Sequence, residues 1–116
     1  MSKTIDTLKT EYRDLAFAHG QATNSGDHEA ANLSHDKLLA LVPEIRAYGR
    51  EGEVALLALT KDQDDAVVCW AATHVLPFDE KRAIAVLDEL SKKTGPMGFD
   101  AKMVLQQWKR GQLILP

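Results

Sequence analysis

Apolar residues recur along this chain at the spacing of helices, and nowhere with the alternation of a strand. Ile5, Leu8, Tyr12, Leu15, His19 and Ala22 step by three and four, which marks one stripe of an amphipathic helix from about Thr4 to Asn24. Ser25-Gly26 stops it, because glycine takes the left-handed terminal conformation at little cost. Asp27 then caps a second helix whose inward positions are Ala30, Ala31, Leu38, Leu41, Val42, Ile45 and Tyr48. Pro43 falls inside that stripe; it lacks a backbone donor and crowds the preceding turn, so a kink or break is expected near Leu39–Val42.

A third helix is expected over Glu51–Leu59, followed by the polar turn Lys61-Asp62-Gln63-Asp64-Asp65 with its capping residues. The fourth, Asp65–Leu76, carries Val67, Val68, Cys69, Trp70, Ala71, Ala72, Val75 and Leu76, with almost no polar face. A helix apolar all round lies between neighbours, so this one is placed at the centre. Asp79 caps a fifth helix reaching about Lys93, with Ala83, Val86, Leu87 and Leu90 inward. Thr94–Gly98 reads as a loop. The last helix spans about Phe99–Arg110, and Leu113-Ile114-Leu115 forms an apolar tail expected to pack back on the body. The expectation is an all-α domain over residues 1–116, with six helices in antiparallel pairs, or seven if Pro43 splits the second.

Composition narrows the class. Of 116 residues 45% are hydrophobic and 27% charged, ordinary values for a folded domain. Alanine and leucine number 15 each, and both are strong helix formers. Cys69 is the lone cysteine, which excludes an internal disulfide and a multi-cysteine zinc site. No stretch reaches the length of a membrane span. The first residues, Met1 to Asp6, lack the apolar region of a leader, so a cytoplasmic location is expected.

The net charge of −3 is unevenly distributed: residues 1–65 hold seven basic and twelve acidic side chains, residues 66–116 seven and five. The basic pairs Lys81-Arg82, Lys92-Lys93 and Lys109-Arg110 sit near helix ends, where a cation meets the helix dipole favourably. The acidic first half suits a basic partner better than a nucleic acid.

Shifting the chain by 30 residues brings Val54 onto Ile84, Leu56 onto Val86, Leu57 onto Leu87, Ala71 onto Ala101 and Val75 onto Leu105. Two helix–turn–helix units of that period are the pattern of a helical solenoid. Leu56-Leu57-Ala58-Leu59, then Asp64-Asp65-Ala66-Val67, Ala71-Ala72 and Leu76, resembles a HEAT repeat. The wider set resembles a small bacterial HEAT-like family catalogued as domain of unknown function 2019. Its other stretches are Gly26-Asp27 with Ala31-Asn32 and Asp36, and Gly98-Phe99-Asp100-Ala101 with Leu105 and Trp108-Lys109-Arg110-Gly111. One departure is the position after the valine of the second repeat helix, where HEAT repeats usually carry arginine and this chain has Val68 or Cys69. The resemblance implies a helical-repeat fold and, by analogy of fold, a surface that binds macromolecules; it implies no activity.

Candidate chemistry is sparse. His28 and His35 lie seven apart, about 10 Å along a helix axis, too far for one zinc ion, and no zinc-ligand motif accompanies them. No bound metal and no cofactor is expected. Cys69 reads as a small core residue. The Asp62–Asp65 cluster lacks the glycine and final glutamate of a calcium loop and reads as helix capping. No nucleophile elbow or phosphate loop is present. His19 falls on an inner stripe as a boundary histidine. His74 and Trp70, four apart, are placed to stack.

The residues singled out for binding are therefore His28, Asn32, His35 and Asp36, on the flank of the second helix, with Trp70, His74 and Trp108 as aromatic anchors. The expected function is a non-enzymatic protein-binding module, with a small acidic immunity- or antitoxin-type inhibitor as one concrete form. No small-molecule substrate is evident. The alternatives are an enzyme with a shallow site on the second helix and nucleic-acid binding through the basic C-terminal half.

Overall fold

The computed structural model describes residues 3–116; Met1 and Ser2, part of the segment read for a leader, lie outside the described residues. The described chain is all-α. Its elements are α1 (Ile5–Ser25), α2 (His28–Arg46), α3 (Arg50–Leu59), α4 (Asp65–Val75), α5 (Glu80–Ser91) and α6 (Pro96–Lys109). No described helix is long and apolar enough to cross a membrane.

Local chemistry sets the boundaries. The Thr4 hydroxyl accepts from the Thr7 amide, and Asp27, Asp64 and Asp79 accept from the amides of Ala30, Val67 and Arg82. Each satisfies a donor that the first turn of a helix leaves free. Gly26, at φ 78°, ends α1 with its amide on the Ala22 and Thr23 carbonyls, a conformation that a side chain would strain.

One boundary keeps to the six-helix reading and one differs from expectation. Pro43 neither splits nor ends α2, so there are six described helices rather than seven. It stands in the last turn, where the absent donor leaves only the Leu39 carbonyl without its usual partner, and the Ala47 amide still bonds the Pro43 carbonyl. The loop expected over Thr94–Gly98 is shorter, because α6 begins at Pro96. The first helical position needs no amide hydrogen, which suits proline.

Each helix packs on the next in sequence, and α1 and α6 both reach back to α4. The nearly all-apolar α4 thus lies against α1, α3, α5 and α6, with Val67, Ala71, Ala72 and Val75 fully enclosed. Ala71 and Ala72 leave room for the neighbouring backbones. So does Gly20 on α1, where an added Cβ would come within 2.7 Å of the Ala66 Cβ on α4. Gly52 of α3 lies still closer to α2, since its Cβ would fall 2.0 Å from the Ile45 carbonyl oxygen.

The inward faces of α3 and α5 superpose at a shift of 31 residues rather than 30: Gly52, Leu56 and Leu59 correspond to Ala83, Leu87 and Leu90. The 30-residue alignment had paired Leu57 with Leu87, but Leu57 is only half-buried. Leucines on both faces of α3 made the two registers hard to separate by sequence. For α4 and α6 a shift of 30 holds, with Ala71 and Ala101 both enclosed. Arg13 on α1 clasps Asp62 in the α3–α4 turn with both Nε and Nη2, at 2.7 and 3.3 Å. Burial pushes the Asp62 carboxyl up, but Arg13 and the Asp64 amide outweigh it and hold it below the usual carboxylate range.

Candidate functional site

α1, α2, α4 and α6 leave between them a cleft of about 580 Å³, whose lining includes the C-terminal tail. That volume lies in the range of ligand sites. One wall is made of planar rings. Trp70 on α4 forms its centre, with His19 of α1 edge-on at 5.2 Å between ring centroids, His35 of α2 tilted at 5.7 Å, and His74 of α4 stacked at 5.8 Å. The lining also includes the apolar side chains of Met97, Met103, Val104, Leu113 and Leu115, of which the methionines are the most adaptable.

The helical period accounts for the assembly. Trp70 and His74 are one turn apart on α4 and stack. Tyr12 and His19 lie on the same stripe of α1 but serve different environments. The Tyr12 hydroxyl meets His74 Nδ1 at 2.6 Å in the interior, whereas His19 Nδ1 accepts from the Trp70 indole N–H at 3.4 Å at the edge of the cleft. This bond leaves the His19 hydrogen on Nε2.

Burial separates the imidazoles electrically. His74 is 1% exposed, and desolvation, followed by the charge of Arg46, lowers its pKa to about 4. It is therefore neutral at pH 7. If Tyr12 donates to Nδ1, one group is orphaned, the His74 Nε2–H; the reverse tautomer would also leave the Tyr12 hydroxyl hydrogen without an acceptor among the described residues. The first arrangement is therefore favoured, and His74 Nε2 has no partner among the described residues. Desolvation also lowers the His19 pKa, reinforced by His35 and opposed by Asp100. The carboxyl of Asp100, a residue of the cleft lining, is raised by burial and partly relieved by His19.

The residues singled out from the sequence separate into three groups. His35, Trp70 and His74 come together on the ring wall. His35 is half-buried rather than on a solvated flank, because residue 35 falls one turn before half-buried Leu39 and one turn after buried Ala31. His28, Asn32 and Asp36 are exposed and do not line the cleft; Asp36 touches the set only through its carboxylate, 3.3 Å from His35 Nδ1. Trp108 is half-buried against the core, away from the cleft lining. His74, singled out as an aromatic anchor, is only 1% exposed, with the Trp70 and Tyr12 rings against it.

The sequence reading missed Asp100, Met97, Met103 and the tail as lining residues. Their only signal was the Gly98–Ala101 stretch and the apolar Leu113–Leu115, neither of which names a neighbour. In the tail, Leu113 and Leu115 pack against the core while Ile114 is 93% exposed.

Desolvation, with smaller contributions from Asp100 and Asp65, pushes the Cys69 thiol up to about 12, so it stays protonated at neutral pH and is a poor nucleophile. Among the described residues no three His, Cys, Asp or Glu side chains converge as a metal-ligand set. The aspartates of the α3–α4 turn are engaged as well: Asp62 accepts from the Asp64 amide, Asp64 caps α4, and Asp65 pairs with Lys93 at 2.7 Å. No protein family, characterised protein or solved structure gives a match to this chain.

Proposed function

We propose that this chain is a non-enzymatic, HEAT-like binding module of the bacterial cytoplasm that seats part of a partner protein in the cleft around Trp70. The observation that carries the reading is the ring wall itself: an indole flanked by three imidazoles, on a concave space whose lining also holds methionines and the apolar tail. Tryptophan is among the residue types enriched in binding hot spots. Exposed Phe17 and Ile114 extend the apolar surface at the cleft. The protonated Cys69 supports a role without covalent chemistry. Helices that each pack on the next, with nearly repeated inward faces in α3 and α5, support the HEAT-like description and its resemblance to domain of unknown function 2019. The acidic first half fits an inhibitor or immunity-type role against a basic partner.

A photo-crosslinking amino acid placed at Ile114, and separately at Val54 as a surface control outside the cleft, tests the reading. A partner crosslinked from position 114 and not from 54 is then purified and titrated against the full chain. Trp70→Ala and the milder rim variant Phe17→Ser are expected to weaken it about tenfold or more, as loss of a hot spot does. Unchanged affinity in both variants, with native circular dichroism, overturns the cleft as the site.

A further inference from the structure

The charges around the cleft are one-sided. No lysine or arginine is among its described lining residues, while Asp64, Asp65 and Asp100 are. Asp64 is occupied in capping α4 and Asp65 in pairing with Lys93. Asp100 has neither a salt bridge nor a hydrogen bond from a described side chain, and it sits close enough to His19 for the two to influence each other's ionisation. His74, its pKa lowered to about 4 by burial, stays neutral at pH 7. A negatively charged occupant would meet acidic charge with no cation to receive it. A positively charged one would meet a free carboxylate and ring faces suited to cation–π contact.

The shape of the occupant is suggested by what already lies there. Residues 112–116 have no regular secondary structure, and Leu113 and Leu115 turn toward the core while Ile114 faces out. That alternation is the period of extended chain. The lining of the cleft thus already includes a segment with every second apolar side chain inward, and Met97 and Met103 add adaptable surface to it.

We infer that the cleft selects an extended apolar peptide segment of the partner carrying one basic side chain, whose cation lies by Asp100 and the ring wall while apolar residues on either side pack against the methionines and the tail. This rests on the protein-binding reading above and adds the chemistry of what is bound. An acidic or phosphorylated segment is disfavoured by the same charges.

Three acetylated and amidated heptapeptides test it: Ser-Gly-Leu-Lys-Leu-Gly-Ser and the versions with glutamine or glutamate at the centre. Each is titrated against the full chain at low ionic strength by calorimetry, with backbone and imidazole shifts followed by NMR. An exposed ion pair is worth a few-fold in affinity, so exchanging attraction for repulsion should separate the lysine and glutamate peptides by about tenfold. Asp100→Asn, a surface change with no described hydrogen bond to lose, should remove most of that difference. Glutamate binding as well as lysine, or a lysine preference that survives Asp100→Asn, overturns the inference, while saturable shifts at Trp70 and His19 would still uphold the cleft as a peptide site. Absence of binding by all three overturns the inference; the crosslinking result then decides separately whether the cleft is the docking site.

Discussion

His74 and His19 are the same residue type, both ring neighbours of Trp70, yet they belong to two different regions. His74 is sealed in the interior with Tyr12, while His19 stands at the edge of an open cleft with His35 and Asp100 nearby. Both have lowered pKa values, and burial is the first cause in each case. The difference lies in what compensates it. Around His74 the charge that acts is Arg46, which disfavours protonation further. Around His19 the Asp100 carboxylate pulls the other way. A sealed imidazole serves as a neutral structural hydrogen-bonding group; a half-open one beside a carboxylate remains responsive to whatever enters. Trp70 touches both, so one face of α4 passes from core to cleft within a single turn.

The largest expected effect breaks this contrast by acid. Because the folded pKa of His74 is about 4, below the unfolded value near 6.5, the unfolded chain takes up a proton that the native chain refuses. The stability associated with neutral His74 is present in full above pH 6.5 and is lost progressively as the pH falls to about 4, then changes no further. The loss is about 3 kcal/mol. Urea denaturation from pH 7 to 4 should show it in the wild type, and His74→Asn should flatten that part of the profile. An equal slope in both proteins would mean that His74 is not the sealed group.

A smaller effect comes from the other half of the pair. Tyr12→Phe keeps the ring in the core and removes the hydroxyl, leaving His74 Nδ1 buried without a partner. A stranded buried polar atom costs about 1–3 kcal/mol. Thermal unfolding should report a loss of that size with little change in binding at the cleft. A variant as stable as wild type would show that solvent reaches the pair.

How much of this was legible in the sequence follows the range of the interactions. The helical period, the capping aspartates, Gly26 and the apolar excess of α4 are local signals, and they located all six helices. The Trp70–His74 stack was legible for the same reason, since one turn of helix brings the rings together. Pro43 left six and seven helices both open, because the rule it obeys concerns helix interiors, and the sequence alone did not reveal that its position was the last turn. The cleft itself was hidden. It depends on His19 meeting Trp70 across 51 residues, on Tyr12 meeting His74 across 62, and on the tail lying along α6's side of the groove. Such pairings are decided by which helix stacks on which, and no spacing in the chain encodes them. His35 shows the consequence: its place on α2 could be read, but whether that edge of the helix faced solvent or a ring wall could not.

The smallest expected effect sharpens the division between the cleft and the outer surface of α2. Asp36 is exposed and reaches the ring wall only through its 3.3 Å contact with His35. A polar contact so open to solvent contributes little to stability. Asp36→Lys should therefore leave the melting temperature nearly unchanged, within about 0.5 kcal/mol in stability. It should act on a basic partner chiefly through the rate of encounter, because a charge at the rim of an interface steers approach more than it holds the complex. Association measured by stopped flow should slow and lose part of its salt dependence, while dissociation stays as in wild type. Asp100→Asn, inside the cleft, is expected to speed dissociation instead. If Asp36→Lys changes dissociation more than Asp100→Asn does, the partner rests on the outer flank of α2, with His28 and Asn32, and the ring wall is part of the core rather than the contact.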